Sequence, residues 1–308
     1  MPAIWIPKRL VETSLINSAA ADKVSFVRHC EFEYESRIYA AAKEIIESGK
    51  HIVMLTGPSA TGKTTTSNKI AEKIRTMGKK AQVVSMDNFF KNPEEYPRLA
   101  DGTKDYENVL AVDIQLMDRC LEELLNKGKA KFPEFDFKAE RRIEDAFELE
   151  IGDGFVIVEG IHALNPVTLG SLPRESVMTV YAGLREEYAR LGQRVLSTRD
   201  IRMVRRMIRD YKHRGHSPQK TISMWANVCE GEDKYIKPYK PNADLLLDTS
   251  FSYEILVMNS ALKNFPDELD GGTPEAEKYN SVIKALSSCG YIPEGYIPPN
   301  SMLREFYC

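Results

Sequence analysis

Eight consecutive residues, Gly57-Pro58-Ser59-Ala60-Thr61-Gly62-Lys63-Thr64, constrain this chain more than anything else in its 308 residues. They match Gly-x-x-x-x-Gly-Lys-Ser/Thr, a spacing that lets the backbone curl until successive N–H groups point inward at phosphate oxygens. Such a loop needs a strand before it and a helix after it, whose positive end adds to the anion site. Both are legible. Ile52-Val53-Met54-Leu55 is a short β-prone run that breaks at Gly57, and a helical stretch from Gly62 to Met77 closes at Gly78. The phosphate contacts therefore fall to Gly57, Ser59, Ala60, Thr61, Gly62, Lys63 and Thr64, with Thr65 one residue on. Lys63 puts a point charge on the outer phosphates, and the Thr64 hydroxyl is placed to ligate Mg²⁺.

The remainder of the chain alternates in the way a parallel sheet covered on both faces requires. Ala81 to Met86, Phe155 to Val158, Met178 to Ala182 and Ala243 to Asp248 read as further strands. Asp113 to Asn126 is helical, with Ile114, Met117, Leu121, Leu124 and Leu125 on one side. Phe89 to Asp105, rich in Pro, Asn, Asp and Lys, is expected to be a long functional loop. Before this body, residues 1 to about 31 carry no clear period and read as an arm. Glu31 to Ser48 reads as a helix, with Ile38, Ala41, Ala42, Ile45 and Ile46 at helical spacing. After Phe265 come a linker over Asp267 to Thr273, a helix over about Pro274 to Ser287, and a Pro-rich tail from Ile292 to Cys308. The expected division is 1–47 arm and helix, 48–265 nucleotide-binding domain, and 266–308 linker, helix and tail.

In a parallel sheet the carboxyl ends of the strands lie at one edge, where ligands bind. Asp87 closes the second strand and Glu159 closes the strand Phe155 to Val158. Two carboxylates there can hold Mg²⁺ with Thr64, or one can accept a proton from an attacking hydroxyl. The stretch Arg185 to Arg214 holds nine arginines. At 100° per residue, Arg202, Arg205, Arg206 and Arg209 cluster on one helical face and Ile201, Val204, Ile208 and Tyr211 on another. Arginine forks suit phosphate oxygens, so 185–216 is expected to act as a mobile lid over a triphosphate.

Composition narrows the class. A formal net charge of −3 offers no global basic field for nucleic acid. Five scattered cysteines, none as Cys-x-x-Cys, exclude a disulfide framework and an obvious zinc site. No apolar run approaches the roughly 18 residues of a membrane span, and no signal peptide opens the chain, so a cytoplasmic protein is expected. A GTPase would carry Asn-Lys-x-Asp to read guanine, and none occurs. Kinase and other ATPase chemistry stay open on these grounds.

The order of motifs resembles the uridine kinase and phosphoribulokinase family of P-loop kinases. The phosphate loop is followed by Asp87-Asn88-Phe89-Phe90, Asp105-Tyr106-Glu107-Asn108, Pro133-Glu134-Phe135-Asp136-Phe137 and Val158-Glu159-Gly160-Ile161. Then come Arg205-Arg206-Met207-Ile208-Arg209-Asp210 with Arg214-Gly215, and Asn242-Ala243-Asp244-Leu245-Leu246-Leu247. The likeness covers about residues 50 to 262, and the ending Ser301-Met302-Leu303-Arg304-Glu305-Phe306 is similar to that of bacterial proteins labelled uridine kinases. The resemblance implies an α/β P-loop NTPase three-layer fold, mainly parallel, with a C-terminal helical extension. It implies Asp87 as general base, Glu159 as a magnesium partner of Thr64, and Arg206, Arg209 and Arg214 as contacts of the lid. It implies Glu107 on ribose hydroxyls, and Phe135, Phe137, Glu140, Arg142 and Arg206 on the acceptor side. Phe135 stands where pyrimidine-nucleoside kinases place a tyrosine, Glu140 where they place a histidine, and Met224 where they place a glutamine.

The expected protein is thus an ATP- and Mg²⁺-dependent kinase whose partner is a small-molecule acceptor, a nucleoside phosphorylated at its 5′-hydroxyl. Neither nucleic acid nor membrane is an expected partner, and homo-oligomerisation is left open. A kinase of another polyol, such as a sugar phosphate or pantothenate, and a nucleotide-dependent sensor are the alternatives.

Overall fold

Four of five short apolar runs bury every residue, which suits a parallel sheet covered on both faces, while Ala81–Ser85 at the edge leaves Gln82 exposed. The computed structural model describes residues 7–98, 102–170, 172–263, 265 and 272–308. Along the chain, β1 (Arg9–Glu12), α1 (Thr13–Ala19) and α2 (Lys23–Ser48) precede β2 (Ile52–Thr56), α3 (Lys63–Thr76) and β3 (Ala81–Ser85). There follow α4 (Ile114–Lys127), β4 (Lys129–Asp136), β5 (Arg141–Glu150), β6 (Phe155–Glu159), α5 (Pro166–Leu169) and β7 (Val177–Gly183). Next are β8 (Glu186–Arg190), β9 (Gln193–Leu196), α6 (Thr198–Arg214), α7 (Pro218–Ser223) and α8 (Trp225–Tyr235). The chain ends with β10 (Leu245–Asp248), α9 (Glu254–Leu262), α10 (Pro274–Leu286) and α11 (Arg304–Tyr307).

The principal sheet runs β10-β7-β2-β6-β3 with every neighbouring pair parallel. Strand periodicity assigns its side chains to two cores. Val53, Leu55, Ile157 and Val180 face one core, closed by α2, α3, α6, α9 and the C-terminal tail. Ile52, Met54, Val156 and Val158 face the other, where Met117, Cys120, Leu121 and Leu124 of α4 pack. This is a three-layer α/β fold, and the loops after β2, β3 and β6 open at one edge.

The N-terminal region departs from the expected arm. β1 pairs in parallel with β8, which is antiparallel to β9, giving a second, three-stranded sheet. A four-residue strand whose partner lies far along the chain leaves no periodicity to read. The helix expected from Glu31 begins instead at Lys23, because the Asp22 carboxylate accepts from the Ser25 amide at 3.1 Å and caps it. β4 and β5 form an antiparallel hairpin where no element was expected. The segment read as a lid, 185–216, consists of β8, β9 and α6, and Ile201, Met203, Val204, Met207 and Ile208 of α6 are buried in the core. Most of the expected linker, 266–271, lies outside the described residues, as do 99–101 of the long loop.

Candidate active site

β2 delivers the chain at Thr56 into the phosphate loop, and α3 leaves it at Lys63. Gly57 is required sterically, since a β-carbon there would run into the carbonyl oxygen of Ala182 on β7. Gly62 caps α3 in the left-handed region at φ +79°, and Met302 from the C-terminal tail leaves no room for a side chain on it. Ala60 also sits at φ +60°, a strained position for a residue with a β-carbon. Thr61 turns inward, its hydroxyl donating to the Pro58 carbonyl at 2.9 Å.

At the sheet edge, Glu159 of β6 lies in register between Leu55 and Ser85. Its carboxylate accepts from the hydroxyls of Thr64 at 3.0 Å and Ser85 at 3.2 Å. Asp87 follows β3 on a short 3-10 turn capped by Ser85. Burial raises the pKa of both acids, against the pull of the Lys63 ammonium, and each carboxylate also raises the other's or a neighbour's: Asp87 acts on Glu159, and Glu107 on Asp87. Glu107 is raised by burial as well, with Arg206 and Lys63 opposing. Burial in turn lowers the pKa of Lys63, against the carboxylates of Glu159, Asp87 and Glu305.

The arginines of α6 divide by function. Arg206 reaches the loop, its Nη1 donating to Ser59 Oγ at 2.9 Å. Arg206, Arg209 and Arg214 surround the buried Asp210 carboxylate at 3.3, 2.8 and 3.5 Å. Arg202 and Arg205 are fully enclosed. Arg202 pairs with Glu232 at 2.6 Å and donates to the Ser59 carbonyl, while Arg205 holds Glu254 through two bonds of 2.5 and 2.7 Å. Those two brace the loop from behind, Arg199 pairs with Asp233 at 2.7 Å, and Arg206, Arg209 and Arg214 face the cavity.

That cavity, of about 200 Å³, is walled by Lys63, Thr64, Asp87, Glu107, Glu159 and the three outer arginines. Sequence reasoning named all of these. It missed Asp210 as the organiser of the arginines, and it missed Glu305. The tail carries Glu305 to the same cavity, where its Oε2 accepts from the Thr65 hydroxyl at 2.5 Å. Of the acceptor-side candidates, Arg206 and Glu107 line this cavity, and Phe135, Phe137, Glu140 and Arg142 lie on the hairpin. Phe135 is buried in a row of rings running from Tyr106 through Tyr96, Phe90 and Phe135 to Phe137, each 5.1–6.0 Å from the next. Glu140 sits at the hairpin turn with φ +48°. Arg142 is engaged by Asp113 at 3.0 Å and Glu144 at 2.7 Å. Met224 is 40% exposed between α7 and α8 and does not wall the cavity.

A parallel sheet, a phosphate loop with its lysine, two strand-end carboxylates and a set of arginines define a P-loop kinase, an ATP-dependent phosphotransferase acting on a hydroxyl. Residues 52–253 match the phosphoribulokinase/uridine kinase family, and the chain belongs to it. Among curated relatives, a uridine kinase of Bacillus pumilus is 30% identical over 64% of this chain and 85% of its own length. One from Staphylococcus haemolyticus is 26% identical over 67% of this chain and 91% of its own. One from Saccharomyces cerevisiae is 24% identical over 83% of this chain and 46% of its own. No helix among the described residues is long and apolar enough to cross a membrane.

Proposed function

We propose that the chain transfers the γ-phosphoryl group of ATP to the 5′-hydroxyl of a nucleoside. The observation that carries this reading is the convergence of Lys63, Asp87, Glu107 and Arg206 on one cavity at the phosphate loop. Asp87 is the base that takes the proton of the acceptor hydroxyl, and Glu107 accepts hydrogen bonds from vicinal ribose hydroxyls. Lys63, Arg206, Arg209 and Arg214 face the charge that develops on the transferred group, so positioning and fixed charge supply most of the rate. The oxygen donors Thr64, Glu159 and Asp87 fit Mg²⁺, a hard cation that keeps several waters and needs few protein ligands. When bound there it would neutralise the outer phosphates.

The row of rings from Tyr106 to Phe137 favours a nucleoside over a sugar phosphate, because stacking rings suit a planar base. The test is ADP release with ATP, Mg²⁺ and a panel of uridine, cytidine, adenosine and sugar phosphates. ADP release that depends on a nucleoside is expected. Release only with a sugar phosphate, or with no acceptor at all, would reject the nucleoside reading.

A further inference from the structure

A second cavity, of about 330 Å³, lies on the other flank of the phosphate loop, with Pro58 and Thr61 in its wall. Its lining holds seven lysines and arginines against two glutamates. The two glutamates are already engaged. Glu187 pairs with Lys8 at 2.7 Å and Arg194 at 3.0 Å, and Glu232 pairs with Arg202 at 2.6 Å and Lys237 at 3.1 Å. Asp233, at the rim, is taken by Arg199 and Lys237, and Asp248 behind it by Arg9.

Arg185 is left over. It is 5% exposed, follows β7, and lines the cavity. Its Nη2 is buried with no hydrogen-bond partner, and no carboxylate among the described residues forms an ion pair with it. Its backbone is held firmly, the amide donating to Ser250 Oγ at 2.7 Å, so the side chain is presented by a fixed strand end. Lys240 lies in the same wall with its ammonium 5.4 Å from the centre of the Tyr181 ring. Burial and the neighbouring charges of Arg185, Lys8 and Lys237 push its pKa down to about 8. A buried guanidinium without an acceptor keeps the cost of leaving water and recovers little of it, unless an anion arrives.

We propose that this cavity is a second anion site, taking a phosphate or phosphorylated small molecule on Arg185 and Lys240. It is separate from the catalytic cavity and independent of which acceptor the enzyme uses. Pro58 and Thr61 in its wall place the bound anion against the back of the phosphate loop, and Glu232 is the one residue among those described that lines both cavities.

The test is calorimetric titration with pyrophosphate, and separately with ADP, in phosphate-free buffer. Wild type, Lys63→Ala, Arg185→Gln and Lys240→Gln are compared. Wild type should show two pyrophosphate binding events. Lys63→Ala should weaken one, Arg185→Gln should weaken the other at least tenfold, and Lys240→Gln should weaken that same event severalfold. An ADP event sensitive to Arg185→Gln would identify a nucleotide phosphate as the source; its absence beside a retained pyrophosphate event would identify free phosphate. Without phosphate, Arg185→Gln should melt at or above the wild-type temperature, since it removes an unpaired buried charge, and it should lose the stabilisation that added pyrophosphate gives wild type. A single event abolished by Lys63→Ala and untouched at Arg185 and Lys240 would overturn the proposal. So would an Arg185→Gln protein that melts lower yet responds normally to pyrophosphate. If Arg185→Gln fails to fold, Lys240→Gln alone decides between these outcomes.

Discussion

Lys63 and Asp87 face each other across the catalytic cavity, and each holds the other's charge against burial. Lys63→Ala should therefore cost about two to three orders of magnitude in kcat with the fold intact, because it removes fixed charge from the transferred group. Steady-state kinetics beside circular dichroism checks both halves. Asp87→Asn should lower kcat far more than it weakens ATP binding, since the role proposed for it is on the acceptor hydroxyl. Were the loss confined to ATP affinity, Asp87 would be a nucleotide ligand and not the base. Glu140 offers a finer prediction. No ion pair holds it among the described residues, while Arg142 is committed to Asp113 and Glu144. An ionised carboxylate only accepts hydrogen bonds, so at a base edge it would favour the amino groups of cytosine or adenine over O4 of uracil. The difference is on the order of 1–3 kcal/mol, about tenfold to a hundredfold in kcat/KM. Glu140→Gln should flatten the ratio of cytidine to uridine; an unchanged ratio would remove Glu140 from the base site.

At the scale of elements, α6 shows what periodicity can and cannot tell. Its span and its separation of arginine from aliphatic residues were legible at 100° per residue, except that Tyr211, grouped with the apolar face, is 44% exposed. The division of labour among the arginines was not, because it depends on Glu232 and Glu254, which arrive on α8 and α9 from 30 and 49 residues away. Arg205 has no exposed side chain and its partner is 2% exposed. Arg205→Ala would strand the Glu254 carboxylate in the core and should cost about 3–5 kcal/mol, read by chemical denaturation. Arg206→Ala should behave in the opposite way, losing turnover while keeping most of its stability, since Arg209 and Arg214 still pair with Asp210. The β4–β5 hairpin escaped notice because β5 is mostly exposed and alternates charged residues, so it has no apolar run to announce it.

Across the whole molecule, the C-terminal tail closes on the phosphate loop. Met302, Leu303, Phe306 and Tyr307 are fully buried, Phe306 lies under Arg205 at 4.9 Å, and Glu305 lines the cavity at the phosphate loop. Phe306→Ala should destabilise the entire domain by about 3–5 kcal/mol, as expected of a core aromatic and not of a terminal ornament. Glu305→Gln removes a negative charge beside the loop and should tighten ATP binding severalfold in direct titration; weaker binding would make Glu305 a nucleotide ligand instead. By itself the sequence determined the phosphate loop, the five central strands and the acids at their ends. Those follow from residues adjacent in the chain and from the single edge at which parallel strands finish. Tertiary structure alone decided that an apparent arm opens with a strand, that two of the arginines are struts, and that Glu305 joins the cavity across a separation of 240 residues. It alone left Arg185 without an ion-pair partner among the described residues. For the strand, the struts and Glu305 the physical reason is the same: a contact between distant segments leaves no period in the sequence, and only packing brings its two halves within reach.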